Sequence, residues 1–570
     1  MKILIFVKQI PDINMIRFDK ETGRIIRENV PLIINPFDKR AVEEGIRLKE
    51  KYGYTVEVAT MGPPQAIEVI NESLRMGADH GFLITDRKYG GADTWATSHI
   101  LSHFAKTRNP DLMICGRYSL DGETSQVPPE ISKMCNYRFF SSVSKIEIEG
   151  DAATMELDRE DGVLKVSAKM PMVISVSEKI NRARRVDDSV PDMKDRVQIL
   201  DSIALGLDFN GATGSLTLVD GVEVVESSRP GNKITMPEAV QKLKESMENG
   251  TTSVKPETIH MDHNVSSGTA MGIALQDPGV TMEIASLVEE ISNKQGFRTV
   301  MAGNVRPENL KGMTAHEYYH LDSGDIYSLA VEIGRLMDTI KPEFVIFPSN
   351  SQGRDIASLL AAERKLGLTA DCVDIKFQDG KLIQYKPAFG GGVIARILSK
   401  TKPEMATVRP GMFTKKLAEG NFQVKKITPA ESGEYVILSH ELVEDVYLPL
   451  QDANIVLGIG RGVKGKPLIQ SIVEFAQEHS IGVGGTRPVV DMHLLPRQHQ
   501  IGITGMAISP QLYVALGVSG MDNHMSGLRY AKTIISINND PNAPINRLSD
   551  YWVEGTVEDF LALIREKFQK

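Results

Sequence analysis

Arg461, Thr486, Arg487, Thr504, Ser519, Asn523 and His524 lie in or beside Gly-rich turns near the end of the chain. The turns are GIGRGVKGKP (458–467), IGVGGTRPVVD (481–491) and LGVSGMDNHMSG (516–527), with QIGITG (500–505) between the last two. Each of the three longer turns follows a short apolar run. Glycine lets bare backbone amides approach a pyrophosphate, while a few cationic and hydrogen-bonding side chains face an electron-rich ring. That chemistry suits a bound dinucleotide, and flavin fits best, because such donors tune the ring nitrogens and stabilise negative charge as electrons arrive.

Each turn also has a plainer reading. Gly460 to Lys466 opens like a phosphate loop, GxxxxGK, yet Pro467 stands where Ser or Thr would ligate magnesium, and Val463 breaks the GxGxxG spacing. A structural strand-to-helix turn explains it equally well. Thr486 suits a helix N-cap, with Pro488 in the first turn and Arg487 solvated. A lone His524 is more often structural, although its place just after Ser519 and Gly520 raises the functional reading.

Two earlier loops carry similar groups. NPFDKRAVEE (35–44) and GRYSLDGETSQVPPE (116–130) both follow strand ends, where open α/β sheets hold ligands. Asn35, Asp38, Thr124, Ser125 and Gln126 would bind a second nucleotide, the helix start supplying amides for phosphate. Plain helix capping accounts for the same spacing.

The elements that position these loops alternate from the start: KILIFVK, AVEEGIRLKEKYG, TVEVATMG, AIEVINESLRMG, GFLITD, a helix from Thr94 to Lys106, and DLMICG. This is the rhythm of a parallel sheet covered by helices. It returns at Thr299 to Ser349, where Asp325 and Pro342 follow Asp93 and Pro110 at an offset of 232 residues, so an internal repeat is expected. Between the repeats, residues 140–178 alternate like strands and a polar arm follows at 179–196. The chain reads as two proteins joined end to end. The expected divisions are 1–250, a linker at 251–271, 272–445 and a terminal domain at 446–570, with a hinge near 446–453.

Composition narrows the class. A chain of 570 residues exceeds one growing core and implies roughly three or four domains. A net charge of -9 without a basic block gives nucleic-acid binding little support. MKILIFVKQIPD reads as a first strand, and no run of about 18 apolar residues implies a membrane span. Cys115, Cys135 and Cys372 are far apart, so neither disulfides nor a metal site is expected, and a reducing cytoplasm is the expected compartment. No Ser-His-Asp set or carboxylate pair suggests hydrolysis.

Together these motifs resemble the electron transfer flavoproteins, with a β subunit first and an α subunit second in one chain. SQGRD (351–355), GLTADC (367–372), KPAFGGGVIA (386–395), EMATVRPGM (404–412), GTRPVVD (485–491), PQLYVALGVSGMDNHMSG (510–527) and SINNDPNAPI (536–545) match the α side. VKQIPD (7–12), INPFDKRAVEE (34–44), MGADHG (76–81) and DGETSQVPP (121–129) match the β side. The fold implied is α/β: two adenine-nucleotide-binding-like parallel α/β domains and a C-terminal doubly wound, flavodoxin- or Rossmann-like domain that binds FAD.

The resemblance implies FAD contacts from Arg461, Thr486 and Arg487, with Arg487 over the isoalloxazine, Thr504 near flavin N5 and His524 near O2. Gly502, Ile503, Gly505, Ser519, Gly520, Asn523, Asn538 and Thr556 complete that set. A cationic Arg487 and a donor His524 would favour the anionic reduced ring. Ile503 replaces a common Gln and Thr556 a common Asp. The second nucleotide would meet Phe6, Asn35, Asp38, Met61, Gly116, Asp121, Gly122, Glu123, Thr124, Ser125, Gln126 and Val127.

DGETSQVPP, TRPVVD and LLPRQHQIG (494–502) are closer to members with a second FAD than to those with AMP, although Pro128 replaces a usual Gly. A two-FAD chain implies NADH oxidation with electrons split between acceptors, ferredoxin among them. The alternatives are a one-FAD, one-AMP carrier without NADH activity and, more remotely, a non-redox adenine-nucleotide-binding regulator. The arm RRVDDSVPDMKDR resembles the recognition loop that docks acyl-CoA dehydrogenases, with Val190 at the apolar anchor, and a membrane quinone oxidoreductase is the implied acceptor. A solvated hairpin explains the arm's charges as well.

Overall fold

The computed structural model describes residues 1–570 except 14, 19–24, 27–29, 188, 225–228, 252–256, 262–264, 266, 431, 443–446, 449, 451–452, 503–504, 529 and 569–570. It divides into two compact units: residues 1–223, 259–389 and 393–443 form the first, and 224–258, 390–392 and 444–570 form the second. Among the described residues no helix is long and apolar enough to cross a membrane.

The first repeat runs β1 (Lys2–Phe6), α1 (Pro36–Tyr52), β2 (Thr55–Met61), α2 (Ile67–Met76), β3 (His80–Ile84), α3 (Thr94–Arg108), β4 (Leu112–Gly116) and α4 (Val127–Cys135). It continues through β5 (Arg138–Glu149), β6 (Ala152–Asp158), β7 (Gly162–Lys169), β8 (Met172–Val176) and β9 (Val197–Leu200). Ile3, Leu4 and Ile5 are wholly buried, as expected of a strand covered on both faces. The sheet order is β9-β3-β2-β1-β4-β8-β5-β6-β7.

The second repeat has β10 (Thr269–Ala274), α5 (Pro278–Gln295), β11 (Arg298–Gly303), β12 (Glu317–Leu321), α6 (Ile326–Ile340), β13 (Phe344–Pro348) and α7 (Ser351–Arg364). Then come β14 (Leu368–Cys372), β15 (Lys381–Ala388), β16 (Val393–Ser399), β17 (Glu404–Val408), β18 (Gln423–Ile427) and β19 (Val436–Leu442). Its main sheet is ordered β18-β12-β11-β10-β13-β17-β14, which reproduces the first repeat strand for strand from β9 to β5. The offset aspartates have matching tasks. Asp93 caps α3 through Ala96 N, and Asp325 caps α6 through Tyr327 N.

The two repeats do not form the separate domains expected at 1–250 and 272–445. β19 adds to the first sheet as an antiparallel partner of β7, Gly162 opposite Leu442 and Ser167 opposite Val436. At the β6–β7 turn, Glu160 accepts from both the backbone N and the Oγ of Ser351, 2.8 Å each, so a carboxylate of one repeat caps helix α7 of the other. Ser141 donates to buried Asp355 at 2.5 Å, and the Tyr327 hydroxyl donates to Phe139 O at 3.2 Å.

The second unit contains β20 (Ile455–Ile459), α8 (Lys466–Glu478), β21 (Gly482–Gly485), α9 (Arg487–Asp491), β22 (Leu512–Leu516), α10 (Asp522–Met525), β23 (Thr533–Asn538), β24 (Tyr551–Glu554) and α11 (Val557–Phe568). Its order, β21-β20-β22-β23-β24, is the flavodoxin-like 2-1-3-4-5 arrangement, all parallel. The expected boundary at 250 is corrected here. Asn232–Lys233 pair with β24, and Ala239, Val240 and Leu243 of helix Met236–Thr251 bury in the core of this unit. The apolar face of this amphipathic helix packs on α11 and the sheet of this unit. The expected linker at 251–271 and hinge at 446–453 fall partly outside the described residues.

Asp93 does more than cap. Its second oxygen accepts from the backbone N of Leu216 at 2.8 Å and from Thr217 N and Oγ1 at 2.9 Å each. Asp93→Ala should destabilise the first unit by about 3 kcal/mol, above the ~1 kcal/mol of a simple cap, and Asp325→Ala by about 1–2 kcal/mol. Urea unfolding of the full chain measures the difference.

Candidate functional site

The strand order of the second unit reverses between β20 and β22, so their exit loops leave in opposite directions and open a crevice at the carboxyl edge. Backbone meets backbone there. A Cβ on Gly460 would fall 2.2 Å from Gly517 O, and Gly462 N donates to that carbonyl at 3.0 Å. Gly517 has φ +60°. Val463 N donates to Gly460 O at 3.1 Å, which closes a turn with Arg461 exposed at its corner.

At the end of β21, Thr486 occupies the N-cap position of α9 but makes no side-chain cap. Its Oγ1 is buried without a hydrogen-bond partner among the described residues, and Arg487 beside it stays half-exposed, 3.3 Å from Asp491. The capping explanation for Thr486 therefore fails. Gly502 N bonds to Met506 O and Gly505 N to Gly502 O; Ile503 and Thr504 lie outside the described residues. Beyond β22, Ser519 and Asn523 are exposed and Gly520 is buried.

Three candidates are occupied by the protein itself. Asn538 donates to Val518 O at 2.8 Å and accepts from Asp540 N at 3.0 Å, so its amide shapes the crevice floor. Thr556 caps α11 reciprocally with Asp559, accepting from its N at 3.1 Å and donating to its carboxylate at 2.6 Å. This local cap, TVED, was legible in the sequence. His524 is 6% exposed, its Nδ1 bonded to Ile501 O at 3.1 Å and its Nε2 to the Tyr513 hydroxyl at 2.8 Å. A carbonyl accepts only, so Nδ1 carries the proton and Nε2 accepts from tyrosine. The His524 ring is thus a neutral, internally bonded group in this structure.

Tyr513 escaped sequence reasoning because it reads as one more apolar strand residue. It is fully buried, and a Cβ on Gly458 would lie 1.6 Å from its hydroxyl. Only a bare backbone on the neighbouring strand leaves it room.

In the first unit the strand order likewise reverses between β1 and β4, and the second candidate set gathers at that edge. Phe6, Met61 and Gly116 end their strands, and Asn35 stands at the N-cap position of α1 without a side-chain cap, its Nδ2 donating instead to Tyr118 O at 2.9 Å. Gly116 has no room for a side chain, since a Cβ would stand 2.2 Å from Asp38 Oδ1. Asp38 accepts from Lys8 N at 2.8 Å, and burial pushes its carboxyl up to about 7. Asp121 pairs with Lys8 at 2.7 Å and also accepts from Gly122 N.

The loop from Glu123 to Gln126 alternates the sign of φ: +52° at Glu123 and +58° at Ser125, with negative values at Thr124 and Gln126. Such alternation turns successive N–H groups toward one point, where they bind an anion. The amides of Thr124, Ser125 and Gln126 meet no acceptor among the described residues, and Val127 begins α4 directly after them. The Gln126 side chain is committed elsewhere, accepting from Thr94 Oγ1 at 2.7 Å and donating to Leu368 O at 3.0 Å. In the arm, Val190 is partly exposed and its carbonyl accepts from Arg75 Nε at 3.0 Å.

Comparison with known proteins decides what these crevices belong to. Residues 22–198 and 281–439 match the electron transfer flavoprotein domain, and 449–529 match the electron transfer flavoprotein FAD-binding domain. The chain belongs to the electron transfer flavoprotein family. Its first half is 41% identical over 254 residues to the electron transfer flavoprotein subunit beta of Thermoanaerobacterium thermosaccharolyticum, covering 43% of this chain and 97% of the relative. The rest is 31% identical over 309 residues to the subunit alpha of that organism, covering 51% and 93%. The caffeyl-CoA reductase-Etf complex subunit CarD of Acetobacterium woodii is 41% identical over 186 residues, 32% of this chain and 71% of that subunit. A β-like and an α-like electron transfer flavoprotein subunit are thus fused in one polypeptide. The crevice suits the family's FAD: Thr486 has a buried hydroxyl unpaired among the described residues, and the Gly460–Gly517 contact leaves backbone bare where a Cβ would block it.

Burial holds the His524 imidazole down at about 4, against the partial lift from Ile501 O. Stability from this group is complete above the unfolded value near 6.5 and is lost as pH falls toward 4. Its ring resonances should therefore show no titration by NMR above about pH 5.5. Tyr513→Phe should cost about 1–2 kcal/mol in urea unfolding by leaving Nε2 without a donor.

Proposed function

We propose that this electron transfer flavoprotein holds one FAD in its second unit and a second FAD in its first, accepts hydride from NADH, and divides the electrons between a high- and a low-potential acceptor. The observation that carries the two-nucleotide reading is the anion cradle of Thr124, Ser125 and Gln126 amides beside Asn35 and Gly116. The likeness of DGETSQVPP, TRPVVD and LLPRQHQIG to two-flavin members favours FAD over AMP there. Bound FAD supplies the redox chemistry.

The polypeptide binds and orients. Arg461, Arg487 and Thr486 would hold the flavin of the second unit, the two guanidiniums supplying positive charge, with Gly502, Gly505, Ser519, Gly520 and Asn523 along its length and Ile503 and Thr504 joining by resemblance. Thr556 and Asn538 would act from behind, as a helix cap and as part of the crevice floor. The neutral His524 would fix the backbone at Ile501 just before the 502–505 turn. In the first unit, Phe6, Asn35, Asp38, Met61, Gly116, Asp121, Gly122, Glu123 and Val127 would frame the other nucleotide.

Partners follow from the arm. Val190, pinned through Arg75, would dock CoA-thioester dehydrogenases or reductases, in keeping with the complex named for the relative CarD. A membrane quinone oxidoreductase and ferredoxin would be the two acceptors, met in the cytoplasm. Pro128, in the first turn of α4 where two-flavin members have Gly, keeps one FAD with one AMP as the second reading.

Release of cofactors from the purified chain by denaturation, with FAD and AMP counted by chromatography, tests the proposal. Two FAD and no AMP are expected, with bleaching of the flavin band on NADH titration. One FAD with one AMP would leave a simple electron carrier.

A further inference from the structure

The loop that carries the anion cradle runs directly into α4, and α4 buries an acid in its first turn. Glu130 is 1% exposed, and its backbone N donates to Gln126 O at 3.1 Å. Its side chain is bonded from α3. Ser98 Oγ donates to Glu130 Oε2 at 2.7 Å, while Thr94 Oγ1 lies 3.3 Å from Glu130 Oε1 and 2.7 Å from Gln126 Oε1. The Gln126 amide is oriented at its other end, where Nε2 donates to Leu368 O at 3.0 Å, so its oxygen faces Thr94 and can only accept. A threonine hydroxyl has one proton, and the shorter contact, to Gln126, takes it. What Thr94 turns toward Glu130 is a lone pair, to which a protonated carboxyl donates and a carboxylate cannot.

We propose that Glu130 is a positioning residue that couples nucleotide binding in the first unit to a proton: its neutral form donates to Thr94, which steadies Gln126 at the end of the cradle, and leaves the bound phosphate unopposed by charge. The ligand class is the phosphate of a nucleotide, and the inference rests on the reading that the first unit binds a second one. Burial pushes the Glu130 carboxyl up to about 8; the Ser98 hydroxyl works against this and the charge of Asp93 adds to it. The other ionisable groups on the packed elements have their own engagements. On α3, burial holds His99 down and His103 bonds to Leu205 O at 3.1 Å. On α7, Glu363 pairs with Lys133 of α4 at 3.0 Å and Asp355 accepts from Ser141. Arg138 of β5 pairs with Glu434 at 2.9 Å, and β8 has no ionisable side chain. An ionised Glu130 would repel the phosphate, so a bound phosphate raises the carboxyl further and affinity falls as pH rises above about 8.

Isothermal titration of the full-length protein with AMP, after removal of nucleotide from the first unit, tests the coupling. A phosphate monoester with a second pKa of about 6 stays a dianion over the range used. Between about pH 7 and about pH 9.5 wild-type affinity should fall about tenfold, with net proton uptake on binding near the midpoint, read from two buffers of different ionisation enthalpy. Glu130→Gln offers the same donor to Thr94 and the same acceptor to Ser98, with no charge to gain. It should match wild type within about twofold at about pH 7 and lose both the fall and the proton uptake, while the second unit retains its FAD. Asp38, at the same edge, is present in both proteins, so any dependence it causes survives the substitution. If Glu130→Gln does not fold, Ser98→Ala, which removes a hydrogen bond that favours ionisation, should move the fall to higher pH. A wild-type affinity flat in pH, a fall that persists in Glu130→Gln, or an unmoved midpoint in Ser98→Ala would overturn the coupling. A wild-type chain that binds no AMP or FAD in its first unit at any pH would instead overturn the second-nucleotide reading.

Discussion

Reversal of strand order in a parallel sheet is the constraint on which the binding features of this protein depend. Where neighbouring strands send their connections to opposite faces, helices cannot cover the carboxyl edge between them, and backbone N–H groups are left facing a crevice. The chain builds this arrangement beside β1, beside β10 and beside β20. At the last of these, Gly460 and Gly517 bring two loops into backbone contact. At the first, Gly116 lets the start of α1 press against the strand end. The third, beside β10, is closed by Asn350, whose amide donates to Leu275 O across the gap at 3.3 Å and whose oxygen caps α7 through Gly353 N.

The duplicated halves of the first unit are therefore alike in topology and different at their carboxyl edges. Side chains of one repeat complete elements of the other: Glu160 caps α7, β19 extends the first sheet, and Leu368 with Phe389 secures the 121–126 loop. Where the paired group is buried, as at Ser351 and Gln126, leaving it unsatisfied would cost about 1–3 kcal/mol. Fusion of the two halves in one polypeptide makes their association intramolecular, so completing the loop does not depend on protein concentration.

Much of the candidate site was legible. The Gly-rich turns, Arg461, Arg487, Asn35 and the 121–127 loop all lie at carboxyl edges, because in a parallel sheet every strand exit emerges on the same side. The repeat was legible from Asp93 and Asp325, since a helix cap is a local requirement with a local signature. Three roles were not. His524 was read as a ligand donor, but its partner Tyr513 is eleven positions earlier on a strand and looked like core. Gln126 sat in the right loop, yet its amide reaches a carbonyl 242 residues away. The helix at 236–251 had the right periodicity and the wrong expected home.

The sequence by itself determined the α/β class, the repeat, the family and the strand edges at which the Gly-rich turns lie, because periodicity, caps and glycine turns act over a few residues. Tertiary structure alone decided which polar side chains remain available. Among the described residues Thr486 keeps an unpaired hydroxyl, whereas His524, Asn538 and Thr556 are bonded to other groups of the protein. Hydrogen-bond saturation depends on groups brought together from distant positions, and spacing along the chain carries no record of it.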